Sequence, residues 1–84
     1  MKTTPYFKQK LLERPEIKRE WCDRVVAAPI KRTQQANGRL SIWGQIPEFG
    51  DRVLRVIILE DGETLHNAYF DRNFGSRLRR GLEP

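Results

Sequence analysis

At Pro29 the hydrophobic period of this chain changes, and that change limits the fold more than any other feature. Before it, apolar residues recur at helical spacing. After it they alternate, in runs interrupted by Asn37-Gly38 and Asp61-Gly62, dipeptides that favour tight turns between antiparallel strands. Upstream, Thr4-Pro5 is a helix start: threonine caps, and proline fits the first helical position. Tyr6, Phe7, Leu11 and Leu12 supply its apolar positions up to Arg14, and Pro15 ends it. A second helix is expected from Glu16, with Ile17, Trp21 and Val25 four apart on one stripe and Pro29 as the stop.

Four strands are expected behind these helices, over residues 30–36, 39–46, 52–60 and 63–70, with a longer turn at 47–51. With 84 residues there is room for one core. The architecture read from the sequence is a single α+β domain, residues 1–84, with two N-terminal helices packed on one face of a four-stranded antiparallel meander. The basic tail, 73–84, is open between a short helix and a flexible segment.

Charge narrows the partners. Lys and Arg number 16 against 11 Asp and Glu, a formal net charge of +5. Eleven of the cations are Arg, whose planar fork matches phosphate oxygens two at a time. A polyanion is therefore the expected partner, with RNA first. Cys22 and His66 are the sole residues of their kinds, so neither an internal disulfide nor a zinc cage can form, and a reducing cytoplasm fits best. No apolar run approaches the roughly 18 residues of a membrane span, and MKTTPYFKQK has no apolar signal core. Phosphate-loop glycine patterns and metal-like carboxylate spacing are absent too, so no cofactor, metal or membrane partner is expected.

If both turns have two residues, Leu59 faces Thr64, Ile57 faces His66, Arg55 faces Ala68, Val53 faces Phe70 and Arg32 faces Trp43, and if the 47–51 turn pairs the middle strands in register, Trp43 also faces Arg55. One face then carries Leu40, Ile42, Leu54, Val56, Ile58, Leu65, Asn67 and Tyr69 toward the helices. The other interleaves Arg32, Arg39, Trp43, Arg55, His66 and Phe70. Guanidiniums that hold phosphates between rings that stack on unpaired bases suit RNA, so Arg32, Trp43, Phe70 and Arg72 are the candidate RNA-binding residues. His66, Arg55 and Arg39 are the candidate catalytic group. The imidazole would move the proton of a 2′-hydroxyl and the guanidiniums would stabilise charge on the phosphorus oxygens, with Asp71-Arg72 as orienting neighbours. A plainer reading has Trp43, Ile57 and Phe70 covering the back of a small sheet. Arg14, Arg19 and Arg24 read as a wet helical face, and Cys22 as a small buried hydrophobe.

The order of pieces KLLERP, EWCDRVVAAP, GRLSIWGQI, RVLRVIILEDG and TLHNAYFDR resembles that of the BrnT-like toxins and their small-domain relatives in the wider RelE and ParE group. The resemblance implies helices on one side of an antiparallel sheet, a ribonuclease or ribosome-dependent messenger-cleaving activity, and a cognate antitoxin partner that covers the site. It matches Arg14 to the arginine ending the first helix, Arg39 and Trp43 to the second strand, and Arg55 to the central strand. Gln9 and Lys10 stand where many relatives have a histidine. Two functions are thus expected in competition: a metal-independent RNA-cleaving toxin of a toxin–antitoxin pair, and a non-catalytic RNA-binding or protein-docking inhibitor module.

Overall fold

The computed structural model describes every residue from Met1 to Pro84. Lys2–Thr3 forms a two-residue strand, β1. The Thr4 hydroxyl then accepts the Phe7 amide at 3.0 Å and Pro5 fills the first turn, which starts helix α1, Pro5–Glu13. Helix α2, Arg19–Ala27, buries Trp21, Cys22 and Val25, and Ile17 is buried just ahead of it. The strands β2 (Lys31–Gln34), β3 (Leu40–Ile46), β4 (Arg52–Ile58) and β5 (Thr64–Phe70) follow. Helix α3, Arg72–Arg79, closes the fold.

The expected four-stranded antiparallel meander with two helices is incorrect. The sheet has five strands in the order β1-β5-β4-β3-β2, and β1 runs parallel to β5, so the sheet is mixed; the helices number three. Two residues are too few to show alternation, which hides β1 from any periodicity argument. Its hold comes from the backbone, through the Lys2–Thr64 and Thr3–Leu65 pairs and the Thr4 amide donated to the Leu65 carbonyl at 3.0 Å. The tail resolves as helix because Asp71 caps it, its Oδ1 accepting the Phe74 amide at 2.9 Å.

Two registers also differ from expectation. The first hairpin turns through Ala36, Asn37 and Gly38, with the Gln35 amide donated to the Arg39 carbonyl at 2.7 Å and Gly38 at φ 88°. A type I turn closed by a left-handed glycine makes a three-residue loop. The extra residue moves β2 by one, so Lys31, not Arg32, pairs with Trp43, and Arg32 lies opposite Ile42. In the last hairpin Leu59 does face Thr64, its amide donated to the Thr64 carbonyl at 2.9 Å. Ile58 then pairs with Leu65 but Ile57 with Asn67, so His66 is the extra residue of a β-bulge. Everything beyond it changes face: Arg55 meets Tyr69 and Leu54 meets Phe70, in place of the expected Arg55–Ala68 and Val53–Phe70 pairs. The β3–β4 register does pair Trp43 with Arg55.

The larger core lies between α1, α2 and one sheet face. Phe7, Ile17, Trp21, Cys22, Val25, Ile42, Ile46, Leu54, Val56, Ile58, Leu65 and Ala68 form one buried cluster, with Phe49 and Phe70 packed against it. Helix α2 approaches β3 so closely at Gly44 that a Cβ there would stand 2.9 Å from the Val25 Cγ2. A second, smaller cluster of Trp43, Val53 and Phe74, with Ile30 and Leu78 beside it, fills the space between the opposite face and α3.

Candidate anion-binding site

The expected mixed face is largely taken up by α3. Trp43 is 8% exposed, its ring stacked on Phe74 at 5.1 Å between centroids and its Nε1 donated to Asp71 Oδ2 at 3.0 Å. It is a structural residue of the smaller core, as in the plainer reading, and offers no face to a base. Phe70 has moved to the helix side, stacked on Phe49 at 4.9 Å and edge-on to Trp21. Arg32 is exposed on β2, away from Trp43.

The proposed catalytic group is not assembled. Arg55 lies between the Trp43 and Tyr69 rings, at 5.0 and 5.7 Å from their centroids, donates to the Ser41 hydroxyl at 2.8 Å and stands 4.0 Å from Asp71. His66 is at the other end of β5, three residues from Arg55's partner Tyr69, roughly 10 Å along a strand. Its ring stacks on Tyr6 at 4.9 Å, and its Nδ1 is hydrogen-bonded to Thr4 Oγ1 at 3.0 Å. Burial first, and then the charge of Arg39, lower the His66 pKa, with Glu60 opposing. Both effects favour the neutral imidazole. Arg39 itself reaches Glu60 at 3.9 Å.

What the fold does assemble is a cluster of arginines at one end of the sheet. Because β1 pairs only with Thr64 and Leu65, the outer edge of β5 beyond them is open. Arg14, at the C-terminal cap of α1, fills that edge by donating Nη1 to the Asn67 Oδ1 at 3.0 Å and to the Ala68 carbonyl at 2.7 Å. This fixes its guanidinium 5.9 Å from the Tyr69 ring. Arg52 opens β4 on the neighbouring strand, its guanidinium 4.9 Å from the Phe49 ring. Arg72 and Arg79 come from the two ends of α3.

All four line one pocket of about 640 Å³, together with Glu16, Ile17, Val53, Tyr69, Phe70, Asp71 and Gly75. No carboxylate lies within 4.0 Å of any of the four guanidiniums, although eight ion pairs form elsewhere. Against them stand only Glu16 and Asp71, a formal excess of two positive charges. Asp71 is already engaged: burial acts against its ionisation, but the Phe74 amide, the Trp43 indole and the nearby Arg55 and Arg77 hold its pKa below the usual carboxylate value.

Of the residues singled out from the sequence, Phe70 and Arg72 reach this pocket; Arg32, Trp43, Arg39, Arg55 and His66 do not. Arg14, Arg52, Arg79 and Tyr69 were missed as site residues. Their signal was positional, since all four cations sit at a strand or helix boundary, and Tyr69 needed the bulge to turn it outward. Elsewhere, burial pushes the Cys22 thiol up to about 12, removing it as a nucleophile. No group of three or more His, Cys, Asp and Glu side chains converges to hold a metal ion. No helix is long and apolar enough to cross a membrane. Comparison with protein-family models, curated proteins and solved structures finds no match to the chain at significant similarity.

Proposed function

We propose that this domain is an RNA-binding module that holds phosphate in the pocket of Arg14, Arg52, Arg72 and Arg79. The observation that carries the reading is that four arginines line one pocket and none of them has a carboxylate within 4.0 Å. Like charges brought together repel and lower the stability of the compact state, so an arrangement of this kind is accounted for by an anion that binds there. Arginine forks meet phosphate oxygens in pairs, and Tyr69, which lines the same pocket, gives an unpaired base a ring to lie against. The net charge of +5 favours the same partner at longer range.

The ribonuclease reading draws less support, because His66 and Arg55 are held apart by the bulge and each is committed to structural contacts. The test uses a labelled single-stranded oligoribonucleotide, with binding and cleavage read in parallel, with and without EDTA. Binding should weaken steeply as salt rises, by about 0.7 counterion per phosphate neutralised. Arg52→Gln combined with Arg72→Gln should flatten that salt dependence. The RNA should remain intact. Affinity that ignores salt, or that survives the double substitution, would remove the pocket from RNA binding. RNA cut by the parent protein but not by His66→Ala would put the toxin reading first.

A further inference from the structure

The pocket is bounded, and its boundaries bear on which phosphate it takes. The turn carrying Arg14, Glu16 and Ile17 forms one wall, the ends of β4 and β5 a second, and α3 a third. Its volume of about 640 Å³ lies within the range of sites for single small ligands, roughly 300–1,000 Å³. A groove that follows a continuous strand has a different form: it is open at both ends and spaces its cations over about 4–16 nucleotides. Here the cations with no carboxylate partner are concentrated instead. The remaining ones, Lys8, Lys18, Arg32 and Arg80, are exposed and divided among α1, the segment ahead of α2, β2 and the segment after α3.

Charge points the same way. An internal phosphodiester has one negative charge, whereas a phosphate monoester carries about −1.5 to −2 at pH 7 and three acceptor oxygens. The excess of two positive charges in the pocket, with Asp71 already bound to its own helix, matches the monoester. Arg14 is held in place by Asn67 and Ala68 before any ligand arrives, so less side-chain freedom is lost on binding.

Building on the RNA-binding reading above, we propose that the arginine pocket binds a terminal phosphate monoester of a nucleotide, with the attached base against Tyr69. The chemistry is the same at a 5′ or 3′ chain end and on a free nucleoside monophosphate, and the experiment separates them. Fluorescence anisotropy would be measured for one eight-nucleotide RNA with a 5′-phosphate, a 3′-phosphate or hydroxyls at both ends, with nucleoside monophosphate as competitor. One phosphorylated end should bind at least tenfold more tightly than the hydroxyl-ended RNA. That advantage should shrink below about pH 6, where the monoester loses its second charge. It should also disappear in the exposed-site variant Arg52→Gln/Arg72→Gln, whose melting curve confirms the fold. Competition by the mononucleotide at concentrations like those of the oligonucleotide assigns the site to the free nucleotide and sustains the monoester chemistry. Equal affinity for all three ends, still lost in the double variant, overturns this inference while leaving RNA binding in place. No binding of any RNA overturns both.

Discussion

The two faces of the sheet are built differently. The face under α1 and α2 buries twelve residues in one cluster, with every strand except the short β1 and the edge strand β2 contributing. The reverse face has an apolar cluster of only three buried residues, Trp43, Val53 and Phe74, and then gives way to polar contacts among Ser41, Arg55 and Asp71. The contrast separates what stabilises this domain from what it can use. The dry face holds the fold together, whereas the arginines gather at one end of the sheet where both faces meet, Arg14 and Arg52 beside the large cluster and Arg72 and Arg79 on the single helix docked behind.

If that is correct, equivalent truncations on the two faces should behave differently. Leu54→Ala removes a fully buried side chain from the large cluster and should cost about 2–5 kcal/mol, lowering the whole melting transition. Phe74→Ala also empties a buried position, but its cost is capped by the docking free energy of α3, because the helix can release while the sheet persists. Hydrogen exchange after Phe74→Ala should show α3 amides unprotected and the β3 and β4 amides still protected. A single cooperative loss as large as that of Leu54→Ala would mean the two faces are one unit.

Asp71→Ala sharpens the comparison with a smaller effect, about 0.5–2 kcal/mol, since it removes both the α3 cap and the Trp43 indole's acceptor. Acid should reproduce it. The Asp71 pKa is lowered in the folded state, so its contribution is complete above the unfolded carboxylate value of about 3.9 and is lost as pH falls through the folded one. Near-ultraviolet dichroism of Trp43 should therefore fall at low pH in the parent and be low already at neutral pH in the variant. An unchanged Trp43 signal in Asp71→Ala would show that the cap does not hold α3 down.

These particulars also explain how far the sequence could be read. The large face was legible because Ile17, Trp21, Val25, Ile42, Leu54, Val56 and Ile58 follow simple periods, and the Trp43–Arg55 pair follows from the length of the turn at 47–51. The reverse face was not, because its composition depends on two single-residue insertions. The three-residue loop at Gly38 exchanged Lys31 for Arg32 beside Trp43, and the bulge at His66 exchanged Tyr69 for Phe70. Period-2 patterns contain no record of either, and a shift of one residue reverses every side chain beyond it. The arginine pocket was illegible for a related reason: its members are 65 residues apart at the extremes, from Arg14 to Arg79, and meet only once α3 docks.

The smallest effect concerns His66. Its folded pKa lies below the unfolded value of about 6.5, so the neutral form is favoured in the fold, stability from this group is complete above that pH, and it declines as pH falls below it. Urea midpoints of the parent should be slightly lower at pH 5.5 than at 7.5, and His66→Gln should remove that difference. A pH slope that persists in the variant would assign it to another group.

The arginine pocket is tested most directly by mapping where RNA touches the protein. In a titration of ¹⁵N-labelled protein with a short single-stranded oligoribonucleotide, the largest shifts should fall on the Arg14, Arg52, Arg72 and Arg79 Nε–H groups and on the Tyr69 and Gly75 amides. Shifts confined to Arg32, Arg39 and His66, with the pocket signals unmoved, would contradict the account.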